Sequence, residues 1–223
     1  LTNYQVRITI NTKWLVINGY ATSSGNEVRF TDSDGSTVLN FWRETPFNQE
    51  KTIYWVKIPS LPANTSKDIY MYFDSNLTSV PDASDPYSTF DFFDDLEDWS
   101  GWENVGSGEV VQTTEYVYHG NYALKKQTNC DPNGGRKQLG FTLDRNNWIV
   151  EFFRRRNEGE GTDCYADRTG VEDANGNGYS AGFTHGSSST IYIDKRTNGS
   201  ATKLGEVSVS DILSEWYICL LYT

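Results

Sequence analysis

The chain changes character at one stretch, Phe90-Asp91-Phe92-Phe93-Asp94-Asp95-Leu96-Glu97-Asp98-Trp99-Ser100-Gly101-Trp102, which places five carboxylates among five aromatic side chains. Residues 1–89 carry 7 lysines and arginines against 9 aspartates and glutamates, whereas residues 90–223 carry 12 against 21. A composition shift of this kind within 223 residues favours two modules. We therefore predict one domain over residues 1–88 and a second, acidic domain over residues 89–223.

The first part has the pattern of an antiparallel β-sandwich. Tyr4, Val6, Ile8 and Ile10 alternate with polar residues, which is the period of a strand with one buried face. Further strands are predicted over residues 27–31, 38–42, 52–58 and 68–73, with a hairpin at Asp34-Gly35 and strand ends at Pro59 and Pro62. Four aromatic residues on these strands are interpreted as core or edge-covering side chains, with a sugar-stacking face as the alternative: Trp42, Trp55, Tyr70 and Tyr72.

The second part is also predicted to be all-β, with strands over residues 148–153, 179–183, 191–193, 203–207 and 216–223. Asn198-Gly199 predicts a hairpin, and the run of hairpins indicates an antiparallel sheet. The last predicted strand has no partner after it, so we expect this domain to be truncated at its C-terminus.

Charge and hydropathy exclude several kinds of partner. The net charge of −11 and a pI near 4.6 disfavour nucleic acid, because phosphate binding depends on clustered lysines and arginines. No stretch is apolar for long enough to predict a membrane span. Neutral or cationic partners are expected.

Several ordered motifs together resemble a domain-of-unknown-function family that recurs in secreted and cell-surface proteins of archaea and bacteria. The similarity covers about residues 1–97 and implies an extracellular or cell-surface location, but it implies no catalytic residue. Members of this family often precede a concanavalin-like, laminin-G-like jelly roll. The sequence from Phe90 onward resembles the opening of such a domain, with Trp99 and Trp102 followed by Tyr118-His119-Gly120-Asn121-Tyr122-Ala123-Leu124-Lys125. The motifs are Glu27-Val28-Arg29-Phe30-Thr31-Asp32-Ser33-Asp34-Gly35, Phe41-Trp42, Ile53-Tyr54-Trp55-Val56-Lys57-Ile58-Pro59-Ser60-Leu61, Ile69-Tyr70-Met71-Tyr72-Phe73 and residues 90–97.

The resulting hypothesis is a non-catalytic extracellular module that binds a polysaccharide or surface glycan, or a glycan-binding adhesin. Sugar rings stack on exposed aromatic faces while nearby polar groups bond the hydroxyls. Six aromatic side chains near polar or Gly-rich sequence are candidates for this role: Trp99, Trp102, Tyr116, Tyr118, Tyr165 and Tyr179.

A structural calcium ion is the cofactor that the acidic residues suit, since Ca²⁺ takes about six to eight oxygen ligands. The segment Asp173-Ala174-Asn175-Gly176-Asn177-Gly178 resembles half of a calcium loop, but the position for the bidentate glutamate holds Thr184. An Asn/Gly hairpin turn, and a solvated turn at residues 90–102, are the alternatives. The candidate ligands are Asp94, Asp95, Glu97 and Asp173.

Two covalent features are expected of an extracellular protein. A disulfide between Cys130 and Cys164 would close a loop of about 35 residues and stabilise by roughly 3–4 kcal/mol, whereas Cys219 is interpreted as a buried free thiol. N-glycosylation sequons begin at Asn64, Asn76 and Asn198.

Two other functions remain as alternatives. The unpaired first and last strands could assemble copies by strand exchange into a cell-surface filament or surface layer. A glycoside hydrolase would need paired carboxylates about 5–5.5 Å apart for retention or about 6.5–9.5 Å apart for inversion, for which Asp95-Leu96-Glu97 and Glu158-Gly159-Glu160 are candidates. The only histidines, His119 and His185, accompany no Gly-x-Ser-x-Gly motif, so we expect no Ser/His catalysis.

Overall fold

A computed structural model of the chain describes residues 1–106, 110–126, 134–143, 148–155, 167–184, 189–210 and 215–222. The chain divides into two compact units, Leu1–Phe93 and Asp94–Thr223. Every sheet in the described ranges is antiparallel, which confirms the predicted all-β class. The jelly-roll topology expected of the second domain stays a prediction. None of the described helices is both long and apolar enough to cross a membrane.

The first unit is a sandwich of two three-stranded sheets, with strand orders β1-β5-β4 and β3-β2-β6. Phe30 from one sheet packs against Phe41 and Tyr54 from the other, with ring centroids 5.1 and 5.3 Å apart. Tyr54 is fully buried, and this burial raises its pKa above the ordinary range. The elements are β1 (Thr2–Ile10), α1 (Thr12–Ile17), β2 (Arg29–Thr31), β3 (Val38–Leu39), β4 (Phe41–Arg43), β5 (Thr52–Ser60), β6 (Tyr70–Tyr72) and α2 (Pro86–Thr89).

Most strand predictions for this unit are confirmed. The alternating segment forms β1, which pairs along its length with β5, and the Asp34-Gly35 turn joins β2 to β3. The carboxylate of Asp34 accepts hydrogen bonds from the backbone N–H groups of Ser36 and Thr37, which closes the turn. The prediction that Pro59 ends its strand is wrong, because β5 continues to Ser60 and Pro59 lies between two paired residues.

The outer face of the β1-β5-β4 sheet is covered by aromatic side chains. Trp42 and Trp55 lie opposite each other on β4 and β5, and Phe90 packs edge-on against both at 5.8 and 5.6 Å. Phe93 adds a contact with Trp42 at 5.0 Å, and the indole N–H of Trp55 donates to buried Glu44. These two tryptophans therefore pack within the unit, as interpreted from the sequence.

The second unit contains a four-stranded sheet of order β12-β13-β14-β15 and three two-stranded sheets, β7-β10, β8-β9 and β11-β16, in its described part. Asn198 and Gly199 both have positive φ angles, which suits the two-residue hairpin predicted between β14 and β15. The elements are β7 (Trp102–Val105), β8 (Val110–Thr113), β9 (Ala123–Lys126), β10 (Gly134–Lys137), β11 (Ile149–Arg155), β12 (Asp167–Glu172), β13 (Gly178–Thr184), β14 (Ser189–Thr197), β15 (Ser200–Val209) and β16 (Trp216–Tyr222).

Candidate functional site

The acidic aromatic stretch, residues 90–102, is divided between the two units. Phe90 and Phe93 complete the aromatic layer of the first unit, where Asp91 also forms a 3.1 Å ion pair with Lys57. The remaining residues, from Asp94 onward, belong to the second unit. The predicted sugar-binding tryptophans of this stretch are therefore features of the second unit.

Hydrogen bonds of the Asp94 carboxylate fix the chain where the second unit begins. One carboxylate oxygen, Oδ1, accepts a 2.8 Å hydrogen bond from the backbone N–H of Leu96. The other, Oδ2, accepts from the indole Nε1 of Trp102 at 3.1 Å and lies 2.6 Å from the ammonium of Lys137. Trp102 and Lys137 are register partners on β7 and β10, so the carboxylate ties both strands to the chain that precedes them.

The indoles of Trp99 and Trp102 form a near-parallel pair, which we call the tryptophan stack. Their ring centroids are 5.9 Å apart with an interplanar angle of 15°, and both side chains are half-buried. A tight turn brings them together, because the N–H of Trp102 donates to the carbonyl of Trp99 and Gly101 has a φ of +79°. A Cβ atom at position 135 would approach the Trp102 ring to 3.1 Å, so Gly135 leaves room for the indole.

Glu97 holds a distant turn rather than facing solvent freely. Its carboxylate accepts hydrogen bonds from the backbone N–H groups of Asn121 and Tyr122 and from the side-chain amide of Asn121. These bonds, with that of the Asn121 amide the largest effect, lower the pKa of Glu97. Gly120 permits this contact, since any Cβ there would meet the Glu97 carboxylate. Glu97 thus fixes the turn that contains Gly120, Asn121 and Tyr122.

The other predicted calcium ligands also accept hydrogen bonds within their own turns. Asp95 accepts from the N–H of Glu97, and Asp173 accepts from the N–H groups of Asn175 and Asn177, which gives the Asn/Gly turn between β12 and β13. Across the described ranges, no group of three or more His, Cys, Asp or Glu side chains is arranged to hold a metal ion. The calcium site stays a prediction.

The predicted ligand-binding tyrosines lie apart from the tryptophan stack in sequence and in their contacts. Tyr118 stacks on Phe153 with centroids 3.8 Å apart, and its edge-to-face contact with Trp216 is at 5.5 Å. Tyr116 lies 4.1 Å below the guanidinium of Arg155. Tyr179 contacts Trp148 at 6.4 Å. These tyrosines pack against other side chains of the second unit, and Tyr165 lies outside the described residues.

Part of the sequence interpretation concerns residues beyond the described ranges. The disulfide of Cys130 with Cys164 lies there, as do Glu158, Glu160 and His185. The predicted buried thiol, Cys219, is a free cysteine on β16 that is only half-buried. The three sequon asparagines, Asn64, Asn76 and Asn198, are all exposed.

The paired carboxylates at Asp95 and Glu97 do not have the expected arrangement. Leu96 between them has a φ of +64°, so the chain is not extended there and the two side chains do not project from one side of a strand. Glu97 is bonded to Asn121 and Tyr122, and Asp95 bonds the backbone of Glu97. The hydrolase alternative gains no support from this pair.

The sequence interpretation missed a group of exposed side chains on α1 and the turn after it, which we call the helix patch: Trp14, Ile17 and Tyr20, exposed by 54%, 72% and 51%. A short helix gives no sustained 3.6-residue period, so hydrophobic spacing alone does not reveal it. The flanking signals were present, with Asn11 before the helix and Asn18-Gly19 after it.

Comparison with known proteins finds a family match over part of this all-β chain. Residues 24–106 match the model of a family described as a domain of unknown function, DUF2341, which bears out the resemblance over that range. The chain is also 38% identical over 136 residues to a Methanocaldococcus jannaschii protein described as uncharacterized protein MJ1394. That similarity covers 59% of this chain and 13% of the relative, so the chain spans a small part of the relative's length. No solved structure matches significantly.

Proposed function

We propose that this protein is a non-catalytic extracellular glycan-binding protein, and that its second unit binds carbohydrate through the tryptophan stack. The observation that carries the proposal is the support beneath these indoles. Trp102 donates its indole N–H to Asp94, whose carboxylate also pairs with Lys137, and Trp99 lies on Trp102 with nearly parallel rings. A binding platform built in this way is preorganised, so little conformational entropy is lost when a ligand binds.

The chemistry around the stack suits a sugar. The apolar face of a pyranose ring packs on an aromatic face, and polar groups at the rim bond its hydroxyls. Asp98, next to Trp99, is exposed, and its hydrogen bonds with the hydroxyl and N–H of Ser100 lower its pKa, so it is an acceptor at neutral pH. Glu103 and Arg136 form an exposed ion pair on the adjoining strands and supply both donors and acceptors.

An extracellular or cell-surface location fits this activity. The exposure of Asn64, Asn76 and Asn198 leaves all three sequons accessible for N-glycosylation. The resemblance of residues 1–97, drawn from the sequence, to a family that recurs in secreted and cell-surface proteins implies the same location. A role as an adhesin would follow if the bound glycan belongs to another cell.

Retention on insoluble polysaccharide tests the proposal. The purified chain is mixed with cellulose, chitin and xylan, and the bound fraction is measured for the parent protein and for Trp99→Ala. Trp99 is chosen because the indole that bonds Asp94 belongs to Trp102. Removing the Trp99 ring therefore leaves the hydrogen bonds of the Asp94 carboxylate in place. Tyr222→Ala, which removes a 75% exposed aromatic side chain of the same unit, is the matched control. We expect Trp99→Ala alone to lose retention, and equal retention of both variants would refute the site.

A second candidate function is assembly of copies through a sheet edge, because β1 pairs only with β5 among the described strands. Its polar and apolar residues alternate from Tyr4 to Ile10, and its other edge presents backbone N–H and C=O groups that join no ladder among the described strands. Sedimentation at increasing concentration would reveal ordered self-association. Replacing exposed Thr9 with proline should suppress that association, since proline removes a backbone donor.

A further inference from the structure

We infer that the helix patch in the first unit is a second carbohydrate-binding site, which takes the sugar rings of an uncharged polysaccharide. Trp14 and Tyr20 have ring centroids 5.5 Å apart with an interplanar angle of 40°. Each side chain is more than half exposed. Exposed aromatic clusters on a folded surface mark interaction sites, and two angled rings present separate faces to successive sugar residues.

The rings stand on ordered backbone. The Asn11 side chain caps α1 by accepting from the N–H of Trp14, and buried Leu15 anchors the helix in the core. After the helix, Gly19 has a φ of +72°, and the N–H of Tyr20 donates to the Leu15 carbonyl at 2.9 Å. The two aromatic side chains are therefore carried by a capped helix and the tight turn that ends it.

A polar groove begins at Lys13, one residue before Trp14. It is largely open to solvent, and its lining residues are polar in type, with the lysine stems contributing apolar surface. Lys13 and Glu50 form a 3.3 Å ion pair there, both well exposed. The N–H of Lys13 also donates to the carbonyl of Gln49, which fixes the groove to the helix. The lining residues are Lys13, Asn48, Gln49, Glu50 and Lys51.

The lining of this groove selects among the possible occupants. Amides, a carboxylate and ammonium groups supply both donors and acceptors, which sugar hydroxyls require in combination. A partner protein would anchor an apolar side chain in an apolar pocket, and the groove has no apolar lining residue. Glu50 offsets Lys13 and Lys51 leaves one positive charge, so the lining is only weakly cationic and does not require an anion. An uncharged polysaccharide is the occupant that fits both the rings and the groove.

The site is independent of the tryptophan stack, so the two can be tested separately in the full-length chain. Affinity electrophoresis in gels containing soluble laminarin, glucomannan or hydroxyethyl cellulose measures the association constant for each. In the Trp99→Ala background, we expect Trp14→Ala to weaken binding about tenfold or more. Trp14→Phe should restore most of the affinity, because it restores an aromatic face. Tyr87→Ala removes a 63% exposed ring elsewhere in the first unit and is the control.

The outcomes separate this inference from the proposed function. If Trp14→Ala binds like the Trp99→Ala background, or if no polysaccharide binds that background, the helix patch is not a sugar site. If Trp99→Ala is harmless and Trp14→Ala removes binding, the tryptophan stack fails and the helix patch stands. A different result would be that no polysaccharide binds and that Trp14→Ala abolishes self-association in sedimentation. The helix patch would then be an interface between copies of the chain and not a sugar site. Near-ultraviolet circular dichroism of each variant verifies folding.

Discussion

The ammonium of Lys137 lies 2.6 Å from the Asp94 carboxylate, and both side chains are largely withdrawn from water, with exposures of 24% and 9%. Trp102 bonds the same carboxylate oxygen. A carboxylate in this position is stabilised chiefly by its bonded donors, since burial disfavours its charged form. The pair therefore supports the geometry of the tryptophan stack.

Lys137→Met tests this support. The substitution keeps an apolar stem but leaves the Asp94 carboxylate without its cation, so we expect the second unit to lose about 1–3 kcal/mol of unfolding free energy. Urea unfolding measures the loss. Arg136→Met is the neighbouring control on β10, where an exposed ion pair with Glu103 contributes less than about 1 kcal/mol. Similar losses in the two variants would show that Asp94 does not depend on Lys137.

The hydrogen bonds to Glu97 make the second unit sensitive to acid. The pKa of Glu97 is lowered in the folded chain, so its contribution to stability is present above the unfolded value near 4.5 and is lost as pH falls through the folded value. In Glu97→Gln, the melting temperature should fall at pH 7 and vary less between pH 5 and acid than in the parent. Glu103→Gln, at an exposed position, should keep the parent's pH profile.

Gly25 and Gly19 form a matched pair for testing close packing in the first unit. Both have positive φ angles, +67° and +72°, but a Cβ at position 25 would overlap the ring of buried Phe47, whereas position 19 is open. Gly19→Ala should cost about 1–2 kcal/mol from backbone strain. Gly25→Ala should cost roughly 1–3 kcal/mol more, because Phe47 must move. Chemical unfolding of the two variants measures this difference, and its absence would contradict the packing.

The attachment of α1 depends on a buried hydroxyl pair. Thr12 and Thr52 are fully buried, with their hydroxyl oxygens 2.6 Å apart, and the Thr12 hydroxyl also accepts from the N–H of Gln49. Thr12→Val removes the bond between the two hydroxyls and the acceptor of the Gln49 N–H, while Thr52 keeps its bond to the Pro46 carbonyl. The two lost hydrogen bonds should destabilise the first unit by about 1–3 kcal/mol. Thr9→Val, exposed on β1, should change stability by no more than about 0.5 kcal/mol. Thermal unfolding compares the two.

Thiol reactivity provides a separate test of the second unit. Burial raises the pKa of Cys219, which lowers its thiolate fraction near neutral pH. In a Cys130→Ser, Cys164→Ser background, the folded protein should therefore react with a disulfide reagent much more slowly than the urea-unfolded protein. Equal rates would place the thiol at the surface. In the parent chain, three reactive thiols under non-reducing, unfolding conditions would exclude the predicted disulfide.

Local patterns in the sequence predict much of the fold. The alternation of Tyr4, Val6, Ile8 and Ile10 identifies β1, and the dipeptides Asp34-Gly35 and Asn198-Gly199 locate two hairpins. These signals work because strand period and positive-φ turns are properties of a few adjacent residues.

The candidate site depends on contacts that local patterns do not contain. Glu97 bonds Asn121, 24 residues later, and Asp94 meets Lys137 on a strand that begins only at Gly134. From the sequence alone, a carboxylate in an acidic run is equally suited to bind calcium or to face solvent. The hydrogen-bond donors that contact it in the fold decide between these roles. Only the tertiary fold shows that these two acids serve as structural acceptors.

The shifted register between Ile193 and Asp194 affects how the protein behaves at high concentration. Gly205 pairs with Ile193 and Lys203 with Asp194, so Leu204 is an extra residue in β15. Among the described strands, β15 pairs only with β14 and is exposed along nearly its whole length. A β-bulge and a lysine in such a strand oppose the flat, continuous ladder that amyloid growth requires. Among the described strands of the second unit, β15 thus combines an exposed edge with features that oppose fibril formation.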